Sequence, residues 1–134
     1  MANIGMWMYQ DGWPADAASV RKAREFVSGH LLENDLAGLC DDARLVVSEL
    51  VTNVVRHVGT AFTVTLERHN GSVVLSVHDS LAEPPTPSPE GRRGTSGHGL
   101  LLVEACSGSW GVSQETTGKS VWATFDVPAP VLPV

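Results

Sequence analysis

A periodic run of apolar residues near the middle of the chain constrains the fold more than any other feature. Its members share one face at the 3.6-residue spacing of an α-helix: Ala43, Val46, Val47, Leu50 and Val54. The pattern predicts a helix over about residues 38–57. A helix that is apolar on one side needs a second layer of structure to cover that side.

Another helix is predicted upstream, over about residues 15–33. Pro14-Ala15-Asp16 is typical of a helix start, because proline fits the first turn and aspartate is favoured near the positive end of the helix dipole. Apolar residues then recur at helical spacing: Val20, Ala23, Val27 and Leu31. Residues 1–13 have no clear period, and the sequence predicts no element there.

Four strands are predicted from alternating side chains. Residues 61–68 and 73–77 alternate on either side of Asn70-Gly71, which is a strong signal of a β-hairpin. Two more strands are predicted over residues 110–114 and 120–127, with a turn at Thr117-Gly118-Lys119 between them.

The segment from Ser80 to His98 contains four prolines and three glycines, and no regular element is predicted within it. A stretch of this length without regular structure is typical of a functional lid or of disorder. Residues 99–106 then predict a short apolar helix. The order α-α-β-β-loop-α-β-β predicts an α+β fold, a two-layer sandwich of helices on a mainly antiparallel sheet.

Length and charge exclude several classes of protein. The 134 residues predict a single domain, since domains cluster near about 100–150 residues. The net charge of −6 argues against non-specific binding to nucleic acid or to anionic membranes, because both need a basic surface. No apolar run is long enough to cross a bilayer and no secretory signal is found, so a cytoplasmic protein is expected. Cys40 and Cys106 are interpreted as free thiols.

Three polar residues border the apolar face of the central helix. Glu49, Asn53 and His57 are spaced four residues apart, so they form one polar stripe along the predicted helix. A carboxylate, an amide and an imidazole in a half-buried line suit the wall of a binding cleft. The alternative is a polar flank whose contacts are local, between neighbouring turns of the helix.

Two further features suit ligand binding. Asp79 ends a predicted strand beside the long loop, where its carboxylate suits a ligand's amino group; the alternative is a turn-forming aspartate bound to its own backbone. The run Ser96–Leu100 leads into a predicted helix whose unpaired N–H groups suit a phosphate, although an ordinary helix cap explains the same residues. Gly118-Lys119-Ser120 is not a P-loop, because the earlier glycine of that motif is missing and a strand follows.

The order and separation of these features resemble the ATP-binding domain of the GHKL superfamily, which includes gyrase, Hsp90, histidine kinases and MutL. More narrowly, the chain resembles the small stand-alone anti-sigma-factor serine/threonine kinases of bacteria, particularly the actinobacterial ones. Val47–Asn53 followed by Arg56-His57 is close to their N-box, and Gly97-x-Gly99-Leu100 with Gly118–Ala123 continues the pattern. The resemblance covers about residues 14–127.

The resemblance implies a Bergerat-type ATP-binding fold with residues 80–98 as the ATP lid. It also implies that Asn53 ligates Mg²⁺, that Glu49 is the general base and that Asp79 accepts the adenine amino group. The residues that it assigns to cofactor binding are Asn53, His57, Asp79, Gly97, His98, Gly99, Leu100 and Ser120. Two positions depart from the family pattern, since no glycine follows Asp79 directly and His98 stands where relatives often carry arginine.

The activity implied by the resemblance is ATP- and Mg²⁺-dependent phosphorylation of a serine or threonine on a small antagonist protein. The chain would then regulate a sigma factor by binding it when the antagonist is phosphorylated, and a homodimer is among the assemblies that the resemblance allows. The alternative is a non-catalytic module that binds a nucleotide or a partner. A stand-alone ATP hydrolase is a third hypothesis, less favoured because small domains of this superfamily usually need further domains to organise a water molecule.

Overall fold

The computed structural model describes residues 5–80 and 95–128, and within 95–100 it describes the backbone alone. The helices and strands in chain order are β1 (Met6–Trp13), α1 (Ala17–Glu33), α2 (Cys40–Asn53), β2 (Phe62–His69), β3 (Ser72–Asp79), α3 (Thr95–Cys106), β4 (Ser109–Glu115) and β5 (Gly118–Asp126). A 3₁₀ turn at Ala37–Leu39 leads into α2, and a π turn at Val54–Val58 continues it. No helix in the described part of the chain combines the length and the apolar character that crossing a bilayer requires.

The strands form one five-stranded sheet in the order β1-β2-β3-β5-β4. Every neighbouring pair in this sheet is antiparallel. Asn70-Gly71 closes the hairpin between β2 and β3 as predicted, and Asn70 has a φ of 54°. The predicted α+β class with a mainly antiparallel sheet is confirmed.

The two faces of the sheet differ in burial. On one side, called the inner face below, side chains pack against the helices, and the alternating residues Val73, Leu75 and Val77 of β3 are buried there. The core between this face and the helices also contains Ala23, Val27, Leu31, Ala43, Val46, Val47, Leu50, Val51, Val64, Leu66, Val103, Ala123 and Phe125. The opposite side, called the outer face below, is not covered by the helices.

The strand β1 is a correction to the sequence-based prediction, which expects no element over residues 1–13. It pairs with β2 along its whole length, from Met6 opposite His69 to Trp13 opposite Phe62. Met6 and Met8 are 58% and 60% exposed on the outer face, so apolar residues point to both sides of this edge strand. The contrast between apolar and polar side chains that marks a strand is therefore missing from the sequence.

The starts of the helices differ slightly from the predicted ones. α1 begins at Ala17 and not at residue 15, because Asp16 is its N-cap: the Asp16 carboxylate accepts hydrogen bonds from the Ser19 N–H and hydroxyl, both at 3.0 Å. The predicted central helix is present, but its last turn widens. There the Gly59 N–H donates to the Val54 carbonyl oxygen at 2.8 Å, and Gly59 ends the turn with a φ of 75°.

The third helix is longer than predicted. α3 begins at Thr95 and not at Gly99, so the stretch Thr95–His98 is helical although the sequence predicts no regular element before Gly99. Threonine and serine are favoured near helix starts, and a glycine costs about 1 kcal/mol in a helix, which a packed helix tolerates. The rest of the predicted lid, residues 81–94, lies outside the described residues.

Gly118 allows β5 to approach the end of β3. The turn between β4 and β5 falls at residues 116–117, so β5 begins at Gly118, two positions before the predicted start. Gly118 has a φ of 146°, and a Cβ atom built on it would lie 1.9 Å from the Asp79 carbonyl oxygen. Both the backbone conformation and the available space therefore require glycine at this position.

Replacing Gly118 with alanine should lower the free energy of unfolding by about 2 kcal/mol or more, because the methyl group forces the β3 and β5 backbones apart and the backbone conformation is strained. Urea unfolding measures the effect. Gly29→Ala is the matched control: Gly29 is exposed in α1 with no neighbouring atom within 4 Å of an added Cβ, so alanine should stabilise by about 0.5–1 kcal/mol. A Gly118→Ala midpoint equal to that of the wild type would show that the close approach is not required.

Candidate functional site

The end of α2 and the end of β3 lie at the same end of the domain. The π turn after α2 finishes at Val58, and the short link 59–61 leads directly into β2. The first residue of β2, Phe62, pairs with Asp79, the last residue of β3. Side chains near the end of α2 are therefore brought close to the end of the sheet that carries Asp79.

The start of α3 is directed toward this same end. α3 packs against α2. Its last residue, Cys106, lies close enough to Asp42, in the first turn of α2, for that carboxylate to act on the thiol, so the two helices run in opposite directions. Burial, and after it the Asp42 carboxylate, raises the pKa of the Cys106 thiol, as expected for a structural cysteine. The first turn of α3 therefore points toward the end of α2.

Glu49 and Asn53 lie one turn apart on α2, about 6 Å along the helix axis. Both side chains are half-buried beside the apolar face that packs on the sheet. Within residues 5–80 and 95–128 neither the Glu49 carboxylate nor the Asn53 amide has a hydrogen-bond or ion-pair partner. Neither side chain is among the buried polar groups that lack a partner, so both remain accessible and are suited to bind a ligand or a metal ion.

His57 does not continue the stripe as the sequence predicts. It lies in the π turn, where the angle between successive side chains differs from that of an α-helix. It is exposed, whereas Glu49 and Asn53 are half-buried. The structure therefore brings together two members of the predicted stripe and places the third nearer to solvent.

Asp79 is buried and paired with a lysine. The Lys119 ammonium lies 3.0 Å from Oδ1 and 3.0 Å from Oδ2 of Asp79, and the two residues are 3% and 2% exposed. They face each other across β3 and β5 on the inner face of the sheet. Sequence reasoning considered Lys119 within a rejected P-loop and missed this contact. The available signal was a lysine on the inward-facing side of a strand, which needs a buried counter-charge.

Ser120 lies on the other side of the sheet from Asp79. It follows Lys119, so its side chain points to the outer face, where its hydroxyl donates to Glu115 Oε1 at 2.7 Å and lies 3.2 Å from His78 Nδ1. The hydrogen bond from Ser120, and after it the one from His78, lowers the pKa of Glu115. The structure does not bring Ser120 together with Asp79.

The four residues Gly97, His98, Gly99 and Leu100 all lie within α3. Gly97 is in the first turn, where backbone N–H groups have no acceptor within the helix. Gly99 and Leu100 lie further along, where N–H groups bond to the preceding turn. Of this motif, Gly97 is thus the position at which a phosphate finds an available backbone donor.

The chemistry of these side chains fits Mg²⁺ held together with phosphates. In the part of the chain that the structure describes, no three His, Cys, Asp or Glu side chains cluster. Mg²⁺ is commonly bound through one or two protein oxygens, several waters and the phosphates of a nucleotide. The Asn53 amide oxygen is a hard ligand of this kind.

Comparison with known proteins identifies the family of this arrangement. The family model described as the histidine kinase-like ATPase domain matches residues 13–125. This match spans most of the chain, including the helices and strands that surround the site. None of the curated proteins gives a significant match to the chain.

A solved structure shows the same fold. The crystal structure of the RsbU and RsbW domains of Rv1364c from Mycobacterium tuberculosis matches with a TM-score of 0.68 at 20% sequence identity. The match covers 95% of this chain and 35% of the solved one, so the present chain spans about a third of that protein's length. At this identity the likeness concerns the fold.

Ser120→Ala should raise the pKa of Glu115 toward its ordinary value, because the substitution removes the hydrogen bond that lowers it most. The pKa of the Glu115 carboxyl group can be measured by NMR titration of its Cδ resonance. Since the pKa of Glu115 is lowered in the folded state, the hydrogen-bonded carboxylate stabilises the wild-type fold at pH values above the pKa of the unfolded state. This stabilisation is lost as the pH falls through the pKa of the folded state. Ser113→Ala on the same face is the control; an unchanged Glu115 titration in Ser120→Ala would refute the assignment.

Proposed function

The chain belongs to the histidine kinase-like ATPase domain family, and from this membership we propose that it is an ATP- and Mg²⁺-dependent protein kinase of the anti-sigma-factor type. It would transfer the γ-phosphoryl group to a serine or threonine of a small antagonist protein. The observation that carries the proposal is the pair Glu49 and Asn53, half-buried one turn apart and without partners among the described residues.

In this proposal the nucleotide lies where α2, β3 and α3 converge. The Asp79 carboxylate accepts a hydrogen bond from the adenine amino group, and the Asn53 amide oxygen binds Mg²⁺. The backbone at the start of α3, Gly97 above all, donates to phosphate oxygens. Ser120 is left out of the proposed site because its side chain lies on the outer face.

Glu49 is the proposed general base. Its carboxylate accepts the proton of the attacking hydroxyl as the phosphoryl group is transferred. Its position one turn before Asn53 keeps the base near the phosphate end of the nucleotide. When bound, Mg²⁺ neutralises the negative charge of the phosphate oxygens. The half-buried surroundings of Glu49 limit the water that could compete with the hydroxyl.

The proposed partners are the antagonist protein that carries the hydroxyl group and the sigma factor that the chain binds. Support comes from the fold, which is shared with a protein whose structure contains an RsbW domain. The motifs described above, from Val47 to Asn53 and from Gly97 to Leu100, support the same assignment.

A non-catalytic binding module is the second candidate function. The observation that favours it is the ion pair between Asp79 and Lys119, which already engages both oxygens of the carboxylate proposed to recognise adenine. A chain in which this ion pair never separates would bind its protein partners without binding a nucleotide.

Glu49→Gln separates these two candidates. The amide keeps the shape of the side chain but cannot accept the proton, so phosphoryl transfer should fall about 10²–10⁴-fold while ATP and partner binding persist. Transfer of radiolabel from ATP to a purified antagonist measures the rate, and calorimetry measures binding. Glu25→Gln, on the exposed side of α1, is the matched control and should leave the rate unchanged.

Equal transfer by Glu49→Gln and wild type would exclude Glu49 as the base. Absence of transfer by the wild type, with partner binding intact, would favour the non-catalytic module.

Nucleotide binding should depend on Mg²⁺ and should favour adenine over guanine. Guanine has a carbonyl oxygen where adenine has the amino group that Asp79 is proposed to accept, so GTP should bind more weakly by about 1.5–3 kcal/mol. Calorimetric titration with each nucleotide, with Mg²⁺ and with chelator, measures both effects. Equal affinities for ATP and GTP would remove Asp79 from this role.

A further inference from the structure

Lys119 engages the very carboxylate on which adenine recognition would depend. Its ammonium is equidistant, at 3.0 Å, from the two oxygens of Asp79. The side chains of Lys119 and Asp79 are 4% and 2% exposed, so the ion pair lies inside the protein. A ligand amino group donating to Asp79 must therefore share or replace an existing donor.

The backbone fixes this contact. Lys119 stands directly opposite Asp79 in the β3–β5 register, so both side chains leave the sheet on its inner face. Gly118 immediately precedes Lys119. Because Gly118 has no Cβ atom, β5 can approach the Asp79 carbonyl group closely. The two charged groups are thus held next to each other by the sheet and not by chance orientation of long side chains.

We propose that Lys119 is an internal competitor for the nucleotide base, and that its ion pair with Asp79 holds the nucleotide-free site closed. This inference rests on the proposed function, because it assigns a regulator to the same adenine subsite. The ammonium donates to the carboxylate in place of the amino group of adenine, and the base binds after Lys119 has moved away.

Charge explains why the competition favours the closed site. Lys119 brings a full positive charge to a buried carboxylate, whereas the amino group of adenine brings a neutral donor. Separating a buried ion pair leaves both charges to be compensated elsewhere, which is costly. The apparent affinity for the base is lowered by the fraction of molecules in which Lys119 has left Asp79.

The direct test compares adenosine binding to wild type, Lys119→Met and Lys119→Arg. Adenosine carries the base without phosphates, so loss of a positive charge near the phosphates does not affect the comparison. Lys119→Met should bind adenosine at least about tenfold more tightly than wild type, because the competitor is gone. Lys119→Arg keeps a cation that can donate to both oxygens and should bind no more tightly than wild type.

Titration of the same proteins with ATP and Mg²⁺ tests the proposed role of Lys119 separately from the proposed function of the chain. If ATP binds but Lys119→Met gains no affinity for adenosine, Lys119 is not a competitor and the proposed function stands. If neither ATP nor adenosine binds to any of the proteins, both proposals fail.

A measurement on the wild type covers the case in which Lys119→Met does not fold. The chain contains two lysines, Lys22 and Lys119, and Lys22 is exposed on α1. Amine-reactive labelling followed by mass spectrometry should modify Lys22 readily and Lys119 slowly. Saturating ATP with Mg²⁺ should raise the labelling of Lys119 relative to that of Lys22 several-fold. Unchanged protection of Lys119 in the complex would overturn the inference.

Discussion

One-sided burial of the antiparallel sheet determines where every candidate residue of the site lies. The helices cover the inner face, and side chains alternate between the two faces along each strand. Asp79 and Lys119 therefore lie inside, and their neighbours His78 and Ser120 lie outside. Because a shift of one residue would exchange these faces, the register of β3 with β5 decides which polar groups can meet a ligand beside the helices.

The helix α2 holds the candidate base and the candidate metal ligand at the edge of this sheet. Its apolar face is held by the core, which leaves Glu49 and Asn53 along the border of the buried surface. The widened turn after Asn53 then lets the chain reach β2 through a short link, with Gly59 ending the turn. These accessible polar side chains lie beside the start of another helix, where a ligand could contact both elements.

Much of this arrangement can be predicted from the sequence, because helix periodicity and the Asn70-Gly71 hairpin are local signals. The edge strand β1 could not be found in the same way. Its own sequence does not alternate between apolar and polar residues, and it is defined by its hydrogen-bonded pairing with β2. The ion pair of Asp79 with Lys119 also depends on strand register, which joins residues far apart in the chain. The direction of Ser120 follows from the same register, which turns its side chain to the outer face, away from Asp79.

We propose that the nucleotide binds where α2, β3 and α3 converge. Titration of the isotopically labelled chain with a non-hydrolysable ATP analogue and Mg²⁺, followed by NMR, tests it most directly. The largest shift changes should fall on the Asn53 side-chain amide, on Asp79 and on the backbone N–H groups at the start of α3. Changes confined to outer-face groups such as the Trp122 indole, or no changes at all, would contradict it.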